Sequence, residues 1–134
     1  MKALSVLQPW AWAIVHGPKR IENRTWATRH RGPLLIHAGK GRQLLPKRSE
    51  PGRQLCLPDG TGVPVDELSF GGVIGVVDVV DCVPVADVKD DPFAEGPWCW
   101  VLENPRPIGL VPVTGQLMLF DVAEELLPDG LLAG

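Results

Sequence analysis

The chain has no tyrosine and only three phenylalanines in 134 residues, so aromatic recognition falls mainly on five tryptophans: Trp10, Trp12, Trp26, Trp98 and Trp100. Long apolar runs are missing as well. The longest early one, Trp10 to Val15, falls short of the roughly 7 to 15 residues of a signal-peptide core and far short of the roughly 20 of a membrane span. The expectation is a cytoplasmic protein with no membrane partner. Cysteine is scarce and odd in number. Cys56, Cys82 and Cys99 include no CxxC pair and no histidine at ligand spacing, which gives no support to a disulfide framework or a structural zinc site and predicts reduced, mostly packed thiols. Asp78, Asp81, Asp90 and Asp91 have no readable ligand spacing, so no metal and no cofactor are assigned. There is no internal repeat.

Hydrophobic residues at 45% and charged residues at 22% give the balance of a globular domain rather than of a disordered chain. The length suits one domain, taken as residues 1–134, with a poorly patterned insertion at about 41–70. Gly 15 and Pro 14 together make about a fifth of the chain, too many for a helical bundle and suited to a small, turn-rich β or α+β domain.

The net charge of −3 conceals two unlike halves. Residues 1–56 hold eleven Lys and Arg against two Glu, an excess of +9, while residues 57–134 hold two against fourteen acids, −12. Either the basic half forms a face that attracts a polyanion, or the halves interleave and neutralise each other.

Along the chain, Ala3–Leu7 reads as a short strand and Pro9 as the entry to a helix closed by Gly17. Trp10, Ala13, Ile14 and Gly17 fall on one face of that helix. Residues 20–26 are permissive for a strand. The run 33–37 reads as a fully buried strand entered through Arg31-Gly32-Pro33 and is expected to form a hairpin with 20–26. No period persists from 39 to 72 beyond a helical turn at 42–45. Residues 72–85, 98–103 and 116–122 are further strands, and the last residues trail off after Leu127. The sum is an α+β fold with about five or six strands, closing into a barrel or half-barrel because closure removes exposed edges.

The densest chemistry lies in Gly17-Pro18-Lys19-Arg20-Ile21-Glu22-Asn23-Arg24-Thr25-Trp26. Strand alternation puts Glu22, Arg24 and Trp26 on one face, with Ile21, Asn23 and Thr25 on the other, and the helix end delivers Lys19 beside the first set. Two cations around one carboxylate suit a phosphate or a polar heterocycle that needs both donors and acceptors. A structural ion pair is the competing explanation. Trp98 and Trp100 share a strand face by parity and are therefore jointly in the core or jointly in the cleft. His37 ends a buried strand; Lys40 and the Arg29-His30-Arg31 cluster add cations nearby.

Leu4-Ser5-Val6-Leu7-Gln8-Pro9-Trp10-Ala11, the pattern GxKxxExR at Gly17, Lys19, Glu22 and Arg24, and Arg31-Gly32-Pro33-Leu34-Leu35-Ile36-His37-Ala38 together resemble an ASCH (activating signal cointegrator homology) domain, a branch of the PUA-like superfamily. Residues 72–77 and 97–102 resemble the family's barrel strands. The resemblance implies a small PUA-like β-barrel with one or more helices beside it and the motif residues in a cleft between helix and barrel. It also implies binding of RNA, single-stranded nucleic acid or a nucleoside-like small molecule. Ligand contacts are then expected from Gly17, Lys19, Glu22, Arg24, Trp10, Trp26, Arg31, His37, Lys40, Trp98 and Trp100. In some members the resemblance implies hydrolysis, either ribonuclease or modified-cytidine amidohydrolase chemistry, with Lys19 and Glu22 as the catalytic residues. The amidohydrolase branch places a threonine nucleophile where this chain has Glu22, and by alternation Thr25 is a poor substitute. A third expectation is a protein-interaction module whose basic half docks an acidic partner.

Overall fold

Leu34, Leu35 and Ile36 are consecutive and all completely buried, which is what a strand covered on both faces requires. The computed structural model describes residues 1–46 and 54–131. In it this run is the middle of β3 (Gly32–Ala38), which lies between β1 (Lys2–Val6) and β6 (Gly72–Pro84) in a six-stranded sheet. The sheet continues from β6 to β7 (Trp98–Pro112) and β2 (Ile21–Arg24) on one side, and from β1 to β8 (Leu119–Asp121) on the other. It curls into a half-barrel with β2 and β8 at its edges. β4 (Gln54–Cys56) and β5 (Gly62–Pro64) form a separate hairpin. The helix α1 (Trp10–Val15) connects β1 to β2. The architecture is α+β and PUA-like.

β1 and β3 run parallel, pairing Ala3 with Leu35 and Ser5 with His37, a relation that needs the long crossover supplied here by α1 and β2. The expected hairpin between 20–26 and 33–37 does not form. β2 pairs antiparallel with β7 instead, at the far edge of the sheet. β7 also runs well past the expected residue 103, through Pro105 and Pro107. β2 reaches only to Val101 on that side, and three register slips in the β6 pairing let a strand hold prolines that cannot donate to a ladder. β8 is shorter than the expected 116–122. The unpatterned stretch contains the β4–β5 hairpin, a turn in which the Leu45 N–H donates to the Arg42 carbonyl at 3.0 Å, and a single 3-10 turn at Val65–Glu67; its residues 47–53 lie outside those described. Of the thiols, only Cys99 is packed inside, where burial pushes its pKa up. Cys56 is exposed and Cys82 half-buried.

A six-residue helix has little stability of its own, so α1 exists because its ends and one face are held. Its first three N–H groups, which the helix cannot satisfy internally, all find acceptors, and the fourth, of Ala13, makes the first intrahelical bond to the Pro9 carbonyl. Trp10 and Ala11 donate to the Leu7 carbonyl, and Trp12 to the side-chain Oε1 of buried Gln8 at 2.9 Å. Gln8 Nε2 in turn donates to the Ser69 carbonyl. Ala11, Ile14 and Val15 pack with Leu4, Val6, Leu34, Ile36 and Val77 in one core cluster. Beneath the helix lies Gly75: a Cβ there would meet Val15 Cγ1 at 2.6 Å and the Arg106 carbonyl at 2.8 Å. This close approach sets the height of α1 above the sheet. Gly75→Ala should therefore cost about 1 to 3 kcal/mol by overpacking, while Gly109→Ala, with nothing within 4 Å of its Cβ, should stay within about 0.5 kcal/mol. Urea denaturation of both variants checks this, and equal effects at the two positions would contradict the close seating of the helix.

Candidate functional site

The helix stops in a way that aims Lys19. Gly17 adopts φ of +101°, a left-handed conformation that favours glycine, and its N–H donates to the Ile14 carbonyl while the Lys19 N–H donates to the Ala13 carbonyl. The chain thereby folds back, and the Lys19 side chain, 4% exposed, comes to lie with Nζ 5.8 Å from the Trp10 ring centroid. Its ammonium donates to the Ile21 carbonyl and to Glu22 Oε1, the latter at 3.1 Å. The other carboxylate oxygen of Glu22 accepts from Arg24 Nε at 3.0 Å and Nη2 at 2.8 Å. Nη2 also donates to the Ser5 carbonyl at 2.9 Å. One buried carboxylate thus joins two cations, and the second cation ties β2 to β1 across the open side of the curled sheet.

These three side chains line a cavity of about 450 Å³ together with Trp10, Trp26 and Phe93. Trp10 meets Phe93 edge to face with centroids 6.2 Å apart, and Trp26 meets Trp100 similarly at 4.8 Å. Asn23 and Thr25, expected on the opposite face, line the same cavity. The strand ends at Arg24, so alternation no longer governs Thr25. Asn23 acts as a clamp: its Oδ1 accepts from the N–H groups of Glu95 and Gly96, and its Nδ2 donates to the Phe93 carbonyl at 2.8 Å. The loop carrying Phe93 and Glu95 is fixed over the site by that residue.

The remaining expected site residues separate. Trp100 is completely buried in the core, its indole N–H donating to the Trp26 carbonyl at 3.3 Å, which removes it from any stacking role. Trp98 is half-buried and does not line the cavity that holds Lys19, Glu22 and Arg24. Arg31 turns away to the carbonyls of Thr28 and His30 and to Asp81 at 3.8 Å. This last contact, with Lys2 on Asp121, shows the basic and acidic halves interleaving at these places. His37 and Lys40 line a second cavity that adjoins the first through Ser5, Leu7 and Arg24. His37 is 2% exposed. Its Nε2 donates to the Val113 carbonyl at 2.6 Å, because a carbonyl can only accept, and its Nδ1 is hydrogen-bonded to Ser5 Oγ at 3.0 Å. Ser5, Phe93 and Glu95 escaped the sequence reading. Only the Ser5–His37 pairing left a trace in the sequence, as neighbours in two apolar strands; the loop residues join the site through a contact some seventy positions away in the chain.

A half-barrel with a helix across it and a polar, aromatic-rimmed cleft between the two places the molecule in the PUA-like class. The chain belongs to the ASCH domain family, whose model matches residues 4–112. It is 33% identical over 109 residues to activating signal cointegrator 1 of Homo sapiens, covering 77% of this chain and 19% of the human protein. To the Mus musculus counterpart it is 40% identical over 81 residues, covering 60% of this chain and 14% of that protein. The chain therefore spans less than a fifth of the length of these relatives. Its fold is similar to that of the ASCH protein of Zymomonas mobilis, with a TM-score of 0.54 at 15% identity over 93% of this chain and 89% of that one. A point mutant of the same bacterial protein gives 0.59 at 14% identity over 93% and 91%.

Removing the shared carboxylate's charge strands two cations, so Glu22→Gln should cost about 3 kcal/mol or more. Asp121→Asn, which breaks the exposed pair with Lys2, should cost at most about 1 kcal/mol. Thermal unfolding measures both; equal, small losses would show that the carboxylate is not a structural centre.

Proposed function

We propose that the cleft between α1 and the sheet binds RNA or a nucleotide-like ligand, with the base on an indole and its polar edge on the Lys19, Glu22 and Arg24 groups. The observation that carries this reading is the buried chain of Lys19, Glu22 and Arg24 lining a cavity next to two partly accessible tryptophans. Buried ion pairs are poor devices for stability, since apolar residues of similar volume commonly do as well or better. Their value lies in presenting fixed donors and acceptors to a ligand in a partly dry site. A carboxylate held from both sides offers its remaining lone pairs to an exocyclic amine, and the guanidinium face of Arg24 suits a base carbonyl or a phosphate oxygen. The family's association with nucleic acid supports the same assignment.

Hydrolysis by a side-chain nucleophile with Lys19 as its base would need a hydroxyl beside Lys19. The two hydroxyls on the cavity wall are Ser5, which pairs with His37 and not with Lys19, and Thr25, in an exposed bend. The Lys19 ammonium is already occupied by Glu22 and the Ile21 carbonyl. Binding is accordingly the reading we adopt.

Titration of the intrinsic tryptophan fluorescence with single-stranded RNA should show binding at low salt that weakens steeply toward physiological salt. Trp26→Leu, which keeps an apolar side chain beside Trp100 but removes the stacking face, should weaken it about tenfold, the scale of one base–aromatic stack. Failure to bind at low ionic strength favours a protein-docking role, and turnover of RNA or of an acylated cytidine by the wild-type chain would establish the hydrolytic one.

A further inference from the structure

The two adjoining cavities differ in charge. The first is lined by Lys19 and Arg24 against Glu22 and Glu95, so its formal charges balance. The second, about 600 Å³, is lined by Arg24, whose charge Glu22 already matches, and by Lys40, with no aspartate or glutamate among the described residues of its lining. Lys40 forms no ion pair among the described residues. Its stem lies along Gly71, where a Cβ would meet Lys40 Cε at 3.1 Å and where φ of +78° favours glycine. Lys40 is exposed on the cavity's lining, and its charge has no carboxylate partner among the described residues.

The wall between the cavities is polar and fixed. Arg24 spans it, holding Glu22 on one side and the Ser5 carbonyl on the other. Ser5 is itself held to His37, and Gly115 presses on that pair so closely that a Cβ there would stand 2.7 Å from His37 Cε1 and 3.2 Å from Ser5 Oγ. Thr114 and Gln116 on the same loop add neutral hydrogen-bonding groups. A pocket whose described lining holds no carboxylate, one cation without a partner among the described residues, a second cation in its wall and neutral donors around it favours an oxyanion.

We infer that the second cavity takes the phosphate of a nucleotide whose base occupies the first, with Lys40 as its charge partner. The inference rests on the proposed function above and goes beyond it by dividing the ligand between a neutral site for the heterocycle and a cationic site for the phosphate. Two sources share this chemistry, a terminal phosphate on a mononucleotide and a phosphodiester within a strand.

Calorimetric titration of the wild type and of Lys40→Met with the four ribonucleosides, their 5′- and 3′-monophosphates and the dinucleoside monophosphates tests it. In the wild type the phosphate should improve affinity about tenfold or more over the parent nucleoside, the scale of a charge-assisted hydrogen bond. In Lys40→Met the ratio should fall toward one. A gain confined to the monophosphates assigns a terminal phosphate, and one shared by the dinucleoside monophosphates assigns a strand. Nucleosides that bind with no gain from phosphate, or a gain that survives Lys40→Met, would overturn the inference while leaving the proposed function standing. Absence of binding by every probe would remove the proposed function itself.

Discussion

One carboxylate, shared between an ammonium and a guanidinium and almost withdrawn from water, is the contact around which the cleft is organised. Glu22 holds Lys19 at 3.1 Å and Arg24 at 2.8 Å. Because Arg24 goes on to the Ser5 carbonyl, the chain of charges links the exit of α1, the edge strand β2 and the parallel strand β1. Two cations and one anion leave an excess positive charge at the centre, and a lone buried charge is costly to leave unmatched. Glu95 enters the same cavity from the loop fixed by Asn23. The site is therefore built from local sequence on one side and completed by a distant loop on the other.

The half-barrel exists to hold these groups at fixed separations. β3 is buried on both faces, with Leu34 and Ile36 in the cluster under α1 and Leu35 in the cluster with Val73, Val76 and Phe120. This leaves β1 and β6 little freedom to shift. Gly75 lets the helix approach the sheet until Val15 is nearly in contact with the β6 backbone. Gln8 satisfies the start of the helix and Gly17 its end. Each of these residues helps to decide where Trp10 and Lys19 stand.

Much of this was legible in the sequence because it is local. Gly17, Lys19, Glu22 and Arg24 lie within eight positions, and a helix stop followed by strand alternation is enough to group their side chains. The apolar continuity of 33–37 similarly announced a strand with two covered faces. The failures are all of longer range. Parity placed Trp98 and Trp100 on one face without saying what the face meets, and Trp100 proves to be core. The pairing of β2 with β7 rather than β3 depends on the whole sheet order, which no window of twenty residues contains. Asn23 keeps the strand face that alternation gives it, with its Oδ1 3.5 Å from Cys99 Sγ, but its clamp on the backbone of 93–96 joins residues that become neighbours only after β6 and β7 have folded. Lys40 is legible in the sequence as a charge, but its lack of an ion pair among the described residues is a property of the fold and not of the sequence around it.

Under the proposed function a ligand's base stacks on Trp10 or Trp26 beside the buried charges, and the indole N–H signals report this most directly. The chain has five tryptophans, and a nitrogen-15 correlation spectrum resolves one indole signal for each. On titration with a short single-stranded RNA, the signals of Trp10 and Trp26 should move, with Trp100 following through its contact with Trp26. Trp12, stacked on His16 away from the cleft at 4.5 Å between centroids, and Trp98 should stay in place. Movement of Trp12 and Trp98 while Trp10 and Trp26 remain still would contradict the assignment of this cleft as the ligand site.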